Sequence, residues 1–203
     1  MESNPKLVLA SGSPRRSDLL QEAGFHFEVV KPLVEEIEDD AIPIRELTAL
    51  NARLKADAVA AAHHGSVVLA ADTLVLLGEK VFGKPSSRDE ASRMLGELNG
   101  QAHQVFTAVT LIHQESGRIH SLTVATDVIF KQLTREEMAA YHKKIDPMDK
   151  AGAYAAQDHG ALIIDRISGS MTNVIGLPMD EVTEALAGHF GIRPAPSAAR
   201  EVR

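Results

Sequence analysis

Two adjacent arginines stand at the start of a helix that follows the first predicted strand. The run Leu7–Arg16 reads Leu-Val-Leu-Ala-Ser-Gly-Ser-Pro-Arg-Arg, and its apolar half predicts a short buried strand. Ser13 and Pro14 then predict the N-cap and the first position of a helix. Arg15 and Arg16 fall in its first turn, where the helix dipole repels cations. An anion held by these arginines and the free backbone N–H groups would explain them, so the junction predicts a phosphate site. A surface helix that begins with arginines is the alternative.

A carboxylate follows the strand that the sequence predicts to be most deeply buried. Val67–Ala71 is fully apolar, and Asp72-Thr73 comes directly after it. Since α/β proteins place catalytic acids at the ends of buried strands, Asp72 is the candidate catalytic acid. An aspartate that caps a turn is the alternative. The acidic loop 35–40 could supply a second carboxylate, Glu36, to a metal, although such runs are ordinarily solvated surface.

The polar residues that the predicted helices and strands leave unexplained are mostly cations. They are Ser11, Arg15, Arg16, Lys55, Asp72, Lys84, Lys150 and Gln157. Several cations with few carboxylates suit a triphosphate that carries a divalent metal. Magnesium uses one or two protein carboxylates together with phosphate oxygens and water, so Asp72 is the first candidate ligand and Glu36 the second. Lys55 either faces solvent or points at a pocket, and its spacing leaves both open.

One phosphate-binding motif is present only in part. Gly78 to Lys84 spells the first part of a Walker A loop. The next residue, Pro85, has no hydroxyl for magnesium and resists the helix start that the loop requires. We therefore interpret the glycines as hairpin turns and keep Lys84 as a candidate phosphate partner.

The composition limits the classes of partner. The chain has 203 residues, no cysteine and a net charge of −7, which excludes thiolate chemistry and argues against binding of long nucleic acid. No apolar run is long enough for a membrane span and residues 1–6 carry no signal-peptide pattern, so we expect a cytoplasmic location and no membrane partner. We expect one domain over residues 1–192 and a flexible tail over 193–203.

Hydrophobic periodicity predicts an alternation of strands and helices around these residues. The predicted helices are Ser17–Ala23, Pro43–His63, Ser87–Leu98, Thr134–Lys144 and Pro178–Phe190, with capping boxes at Ser87 and Thr134. The predicted strands beyond Val67–Ala71 are Phe25–Val30, the hairpin of Thr73–Leu77 with Val81-Phe82, the hairpin of His103–Gln114 with Ile119–Leu133, Ala161–Ile167 and Met171–Ile175. In the helix Pro43–His63, the predicted buried stripe is Leu47, Leu50, Leu54, Ala58 and Ala61. The neighbouring polar stripe is Thr48, Asn51 and Lys55.

Several short motifs resemble one protein family. They are Leu9–Arg16, Ala71-Asp72-Thr73, Gly83-Lys84-Pro85, Asp149–Tyr154 and Val174–Pro178. In this order and over about Lys6 to Phe190, they look like the Maf family of nucleoside triphosphate pyrophosphatases, which are also labelled septum formation inhibitors. An ordered set of motifs is far more specific than any one of them.

The resemblance implies a fold, a reaction and a cofactor. The fold would be α/β of the inosine-triphosphatase type, an elongated twisted mixed sheet with helices that forms two lobes around a central cleft, often in a homodimer. The reaction would cleave a nucleoside triphosphate between its α and β phosphates with a divalent metal such as Mg, Mn or Co. By family likeness Asp72 is the general base, although a carboxylate beside a metal can also ligate it. The implied substrate-binding residues are Ser11, Arg15, Arg16, Lys55, Thr73, Lys84, Lys150 and Gln157, whose cations would neutralise charge on the phosphates.

Three positions separate two branches of the family by substrate. Arg15, Thr73 and Gln157 match the branch that acts on dTTP and UTP, with modified pyrimidine nucleotides as further candidates. The branch that acts on 7-methyl-GTP typically carries Trp, Gln and Glu there. A Gln amide offers a donor and an acceptor, which suits the imide edge of thymine or uracil. The family usually has glycines around this glutamine, whereas here alanines precede it and Asp158 adds a negative charge after it.

Two other functions compete with this interpretation. A nucleotide-binding regulator of cell division that catalyses nothing would gain little from a carboxylate near the phosphates. A phosphomonoesterase is disfavoured because no D-x-D pair follows the first strand and the chain has no cysteine nucleophile. The reaction products separate these functions.

Overall fold

Seven strands and six α-helices alternate along the chain, and a computed structural model describes them over residues 5–195. The strands are β1 (Lys6–Ala10), β2 (Phe27–Val29), β3 (Ser66–Leu77), β4 (Lys80–Phe82), β5 (Ala102–His113), β6 (Arg118–Phe130) and β7 (Ile164–Ser168). The helices are α1 (Pro14–Glu22), α2 (Ile44–Ala60), α3 (Arg88–Leu98), α4 (Arg135–His142), α5 (Met171–Ile175) and α6 (Met179–Phe190). Two short 3-10 turns cover Ala151–Ala153 and Gly160–Leu162.

The strands form one mixed sheet in the order β2-β1-β3-β5-β6-β7, and β4 lies beside β3. β1 runs parallel to β2 and β3, whereas the other pairs are antiparallel. The mixed α/β architecture expected from the sequence is confirmed.

One edge of β3 has a gap in its strand pairing. β1 pairs with β3 only as far as Ala10 opposite Ala70, and β4 begins its pairing at Val75. On the other edge, β5 pairs with β3 without interruption from Val67 to Leu76. Residues 71–74 therefore have a strand neighbour on one side only. A cleft reaches the middle of the sheet through this gap.

Two hydrophobic cores lie on either side of that opening. One core packs α1 and α6 against the first half of β3, with Leu69 and Ala71 at its centre. The other packs α3 and α4 around Val75. A third, smaller core lies under α2 on the opposite face of β1 and β3. Asp72 and Thr73 lie between the first two cores, which is the two-lobed arrangement around a cleft that was expected.

The predicted buried stripe of α2 is wrong. Only Leu47 of that stripe is buried, and Leu50 is 39% exposed. The buried face instead carries the polar residues Thr48, Asn51 and Lys55 together with small apolar residues. This burial is possible because each polar side chain has a hydrogen-bond partner, and the small residues let the helix approach the sheet closely.

Met171–Ile175 was predicted as a strand and is the helix α5. The Ser170 hydroxyl caps it by accepting from Asn173 N at 3.2 Å. The buried Asn173 amide donates to Val105 O on β5 and to Thr126 Oγ1 on β6. These tertiary hydrogen bonds outweigh the β-propensity of the segment.

Other boundaries differ from the sequence predictions in smaller ways. β3 continues through Asp72 because β5 pairs with it there, and β7 starts later than predicted because a 3-10 turn precedes it. The capping box at Thr134 is complete. At Ser87 only half of the box forms, because the Glu90 carboxylate binds Ser86 instead.

The single domain over residues 1–192 and the tail stay predictions, and residues 196–203 of that tail lie outside the described residues. Ala195 N, at the end of the described chain, donates to Gly24 O at 2.8 Å. Over residues 5–195, no helix has both the length and the apolar character to cross a membrane.

The second core contains a buried histidine, which predicts a pH dependence of stability. His103 is 3% exposed, its Nε2 lies 3.0 Å from the Tyr154 hydroxyl, and burial lowers its pKa to about 4. As the pH falls from 6.5 to 4, the unfolded chain takes up a proton on this imidazole and the folded chain does not. The free energy of unfolding should therefore fall over this range by up to about 3 kcal/mol.

Urea unfolding at pH 7.5 and pH 4.5 would test this contribution in His103→Gln. This variant should lose less stability between the two pH values than the parent does. His26→Gln, at an exposed histidine, is the control and should behave like the parent. An equal pH dependence in all three proteins would contradict the prediction.

Candidate active site

The cleft between the two cores has a volume of about 920 Å³. All the residues that the sequence singled out for chemistry line it: Ser11, Arg15, Arg16, Glu36, Lys55, Asp72, Thr73, Lys84, Lys150 and Gln157. They come from the β1–α1 junction, the loop before α2, α2 itself, the middle of β3, and the loops after β4 and α4. The fold thus brings the whole set together, while the roles of the individual residues stay predictions.

A buried ion pair lies at the centre of the cleft. Lys55 Nζ on α2 donates to Asp72 Oδ1 on β3 at 2.6 Å, and the two residues are only 6% and 3% exposed. The same ammonium lies 3.0 Å from Glu36 Oε1. Of the two orientations that the sequence left open for Lys55, the structure has the one that points into the pocket. One buried cation therefore bridges the two carboxylates that were predicted to hold a metal.

The second oxygen of Asp72 has no partner among the residues that the structure describes. Oδ2 is buried and forms no hydrogen bond within the described residues. A buried acceptor of this kind is costly unless a ligand or water uses it. It is therefore available to accept a hydrogen bond, a proton or a cation in the cleft.

Glu36 is held in its charged form. Burial alone would raise the pKa of its carboxyl group, but the ammonium groups of Lys55 and Lys84 outweigh burial and lower the pKa. Lys84 Nζ, on the loop after β4, lies 3.6 Å from Glu36 Oε1.

The donor set fits a hard divalent cation that shares its ligands with phosphates. Asp72 offers the unpartnered Oδ2. Glu36 offers an ionised carboxylate, which contacts the same Lys55 ammonium group as Asp72 does. Among residues 5–195 there is no cluster of three or more acidic, histidine or cysteine side chains that could hold a metal by themselves. One or two carboxylates with phosphate oxygens and water are the usual ligands of magnesium at nucleotides.

Arg16 is fixed from three directions. Its Nε donates to Gly176 O at 2.9 Å, Nη2 donates to Thr73 Oγ1 at 3.0 Å, and Nη1 donates to Ser11 Oγ at 3.4 Å. Gly176 has φ 137°, a conformation that favours glycine, and this backbone turns the carbonyl toward the guanidinium. Burial lowers the pKa of Arg16, but an arginine remains charged in proteins.

Thr73 is one of the three residues that fix Arg16. Its hydroxyl lies 3.0 Å from Thr107 Oγ1, and Thr107 donates its own hydroxyl proton to Asn173 O. Thr73 must therefore donate to Thr107 and accept from Arg16. Successive residues of a strand point to opposite faces, so Asp72 meets α2 while Thr73 meets α1. Thr107 and Asn173 are site residues that the sequence analysis missed.

Asp149 is a further residue that was missed as a participant, although it lies in a recognised motif. Its Oδ2 accepts from Arg15 Nη1 and its Oδ1 from Lys150 Nζ, each at 2.5 Å. Arg15 Nη2 also donates to Asp149 O, and Lys150 Nζ to Asp146 O. Burial alone would raise the pKa of the Asp149 carboxyl. The hydrogen bond from Lys150 and the charge of Arg15 outweigh burial, so the pKa lies below its usual value. The Asp149 carboxylate thus holds together two cations that were predicted to bind phosphate. The position of Asp149 next to Lys150 in the sequence was the one signal that could have identified it.

The loop that carries Gln157 accommodates alanines without strain at their positions. The Tyr141 hydroxyl accepts from Ala155 N at 2.9 Å and donates to Ala155 O at 3.1 Å. Over residues 5–195, the non-glycine residues with positive φ are Ala153 and His159, so neither alanine before Gln157 needs glycine. Gln157 itself is exposed at the cleft, while Asp158 is not among the described residues that line it.

Comparison with known proteins gives consistent matches over most of the chain. The profile of the family described as Maf-like protein matches residues 6–189. The chain is similar to the dTTP/UTP pyrophosphatase of Akkermansia muciniphila, with 43% identity over 184 residues, which cover 91% of this chain and 96% of that protein. It is 42% identical to the dTTP/UTP pyrophosphatase of Syntrophus aciditrophicus over 89% of this chain and 88% of that protein.

A solved structure, that of the Staphylococcus aureus Ham1 protein, is similar with a TM-score of 0.40 and 15% identity. The match covers 62% of this chain and 71% of that one.

Proposed function

Because the chain belongs to the family of Maf-like proteins, we propose that it hydrolyses nucleoside triphosphates, with dTTP and UTP as substrates, to the nucleoside monophosphate and pyrophosphate. The observation that carries this proposal is the Asp72 carboxylate, which Lys55 holds through Oδ1 while Oδ2 remains unpartnered in the cleft. The names of the relatives at 42–43% identity supply the substrates. A site for binding alone would have no need of such a carboxylate.

In the proposed reaction, the oxygen of a water molecule forms a bond to the α-phosphorus. The bond from this phosphorus to the oxygen that bridges the α and β phosphates breaks, and pyrophosphate leaves with that oxygen. The attacking water gives up a proton, and Asp72 Oδ2, which is buried and has no partner within the described residues, accepts it. Lys55 orients the carboxylate through its hydrogen bond to Oδ1. General-base catalysis of this kind contributes about 10²- to 10⁴-fold to a rate.

The cations bind and neutralise the phosphates. Arg16 is rigid because three partners hold it, and it presents its charge at the α1 N-terminus without a further loss of conformational entropy. Arg15 and Lys150 can exchange the carboxylate of Asp149 for phosphate oxygens, since carboxylate and phosphate are both anionic hydrogen-bond acceptors. Ser11 and Lys84 line the same cleft.

A divalent cation such as Mg, Mn or Co would be held by Glu36 and, until Oδ2 accepts the proton of the attacking water, by Asp72. It would supply charge neutralisation at the phosphate oxygens. The homodimer, the cytoplasmic location and the single domain over residues 1–192 belong to the same proposal. The homodimer rests on the family resemblance, and the other two rest on the length and composition of the sequence. Light scattering of the purified protein tests the dimer, and cell fractionation tests the location.

A product assay on a panel of triphosphates tests the proposed function. The protein is incubated with each nucleotide and Mg, Mn or Co, and pyrophosphate and orthophosphate are measured separately. Pyrophosphate from dTTP and UTP is the expected product. Orthophosphate would indicate a phosphomonoesterase instead, and an intact triphosphate with measurable binding would indicate the regulator of cell division. Pyrophosphate released from triphosphates of other bases, and not from dTTP or UTP, would support the proposed reaction but overturn the proposed substrates.

Gln157→Glu should change the choice of base more than the rate. A carboxylate at neutral pH accepts hydrogen bonds but cannot donate one, so it loses the match to an imide edge. We expect kcat/KM for dTTP and UTP to fall about tenfold or more relative to purine triphosphates. Asp158→Asn, at the next residue, is the control and should leave this ratio unchanged. An unchanged substrate ranking in Gln157→Glu would count against a recognition role for this side chain.

A further inference from the structure

The loop that carries Glu36 has little structure of its own. It connects β2 to α2, and residues 31–39 belong to no helix, strand or turn. Between residues 31 and 38, the hydrogen bonds of the described backbone are confined to Ile37, the residue next to Glu36. What holds Ile37 therefore also limits where the Glu36 carboxylate can lie.

Ile37 is held by the side chain of Asn51. Ile37 N donates to Asn51 Oδ1 at 2.7 Å, and Asn51 Nδ2 donates to Ile37 O at 3.0 Å. Asn51 is only 2% exposed. One side-chain amide thus satisfies both backbone groups of a loop residue, as a neighbouring strand would.

Asn51 also lies on the face of α2 that contacts the proposed catalytic carboxylate. Residues four apart share one face of a helix, so Asn51 and Lys55 are neighbours. Lys55 binds Asp72 and Glu36 through its ammonium, and Asn51 binds the backbone N–H and C=O of Ile37, the residue after Glu36. The loop therefore contacts α2 at two adjacent points, one ionic and one by hydrogen bonds.

The ionic contact alone would not fix Glu36. Its carboxylate is 37% exposed and lies within reach of two ammonium groups, at 3.0 Å from Lys55 Nζ and 3.6 Å from Lys84 Nζ. Without the amide of Asn51, the carboxylate could follow Lys84, whose side chain is 58% exposed, toward the solvent. The hydrogen bonds to Ile37 hold the backbone so that Glu36 faces Lys55 and Asp72.

We propose that Asn51 is a positioning residue, which holds Glu36 beside Asp72 and so sets the affinity of the cleft for a divalent cation. This inference rests on the proposed function, because it uses Glu36 as a ligand. Replacement of residues that orient metal ligands ordinarily weakens metal binding about 10- to 100-fold. Asn51 should therefore affect the metal requirement of the reaction far more than its rate at saturating metal.

Direct binding of Mn²⁺ to the full chain, followed by electron paramagnetic resonance in the presence of a non-hydrolysable dTTP analogue, tests the inference. Asn51→Leu should weaken Mn²⁺ binding about tenfold or more and raise the metal concentration for half-maximal pyrophosphate release by a similar factor. Its kcat at saturating Mn²⁺ should stay within about threefold of the parent. Asn51→Ser, which keeps a polar group but is too short for both hydrogen bonds, is the second variant if the first does not fold.

Two further proteins separate positioning from stability. Thr48→Val removes a buried hydroxyl on the same face of α2, whose partners are carbonyl groups of that helix, and it should leave Mn²⁺ binding unchanged. If Asn51 acts through Glu36, Asn51→Leu should have no added effect on Mn²⁺ binding in a Glu36→Gln background.

Each outcome then decides one claim. Unchanged Mn²⁺ binding in a folded Asn51 variant overturns the inference, and so does a full additional loss in the Glu36→Gln background. Failure of the parent to bind Mn²⁺ also overturns it, even where pyrophosphate is released. Failure of the parent to release pyrophosphate from any triphosphate would instead refute the proposed function.

Discussion

Asp72→Asn is expected to lower kcat for pyrophosphate release by at least about a hundredfold, while nucleotide binding stays measurable. The asparagine has the shape of the aspartate and can still accept from Lys55 Nζ, but an amide cannot take up a proton from water. The two arginines and Lys150, which are proposed to bind phosphate, do not depend on this side chain for their hydrogen bonds. Steady-state assays with dTTP give kcat, and calorimetry with a non-hydrolysable analogue gives the dissociation constant.

Asp57→Asn is the matched control for this experiment. Asp57 lies on the exposed face of α2, where it pairs with Arg53, and its replacement should leave turnover unchanged. Turnover of Asp72→Asn near that of the parent would refute the role of Asp72 as the base.

Lys55→Met should have the second largest effect, and on stability as well as activity. Lys55 is the buried cation between Asp72 and Glu36. Methionine fills similar space without charge, so it would leave the buried Asp72 carboxylate without its counterion. Breaking a buried pair by removing one partner costs about 3 kcal/mol or more. Urea unfolding at pH 7 measures this cost. We also expect pyrophosphate release to fall by about a hundredfold or more, because Asp72, the proposed base, loses the hydrogen bond that orients it.

A double variant shows whether the charge is the cause. Lys55→Met with Asp72→Asn has no buried carboxylate left at this position, so it should recover part of the stability that Lys55→Met loses. Lys80→Met removes an exposed lysine paired with Glu97 and should cost less than about 1 kcal/mol. Equal stability of Lys55→Met and the parent would show that the ion pair contributes nothing to folding.

The parts of the site that could be predicted from sequence are those with local signals. Ser11, Arg15 and Arg16 lie in one strand–turn–helix junction, and the mismatch between two cations and the helix dipole is visible in the sequence. Asp72 follows an apolar run, and that pattern also identifies it. In both cases the physical reason lies within about ten residues of the side chain.

The buried face of α2 could not be predicted in this way. Apolar spacing favours the face of Leu47 and Leu50, whereas Asn51 and Lys55 are buried because their partners are in a loop and in β3. Burial of a polar side chain depends on whether a partner reaches it, and those partners lie 14 and 17 residues away along the chain. Periodicity contains no information about them.

The same reason explains the errors at Asp149 and α5. Asp149 binds Arg15, which is 134 residues distant, and α5 is a helix because the Asn173 amide reaches two strands of the sheet. A short segment with β-branched residues favours a strand until such contacts exist. The class of fold was accessible from the resemblance of the ordered motifs to a known family, whereas these contacts required the folded chain.

The hydrogen bonds of Arg16 also determine when a working site can exist during protein synthesis. Its partners Thr73 and Gly176 lie 57 and 160 residues further along the chain. During synthesis on the ribosome, the turn with Arg15 and Arg16 emerges early, whereas the carbonyl group of Gly176 that binds Arg16 emerges much later. Contacts between such distant residues form late, because a long loop must close first. The growing polypeptide can therefore complete the hydrogen bonds that fix Arg16 in the cleft only after translation has passed Gly176.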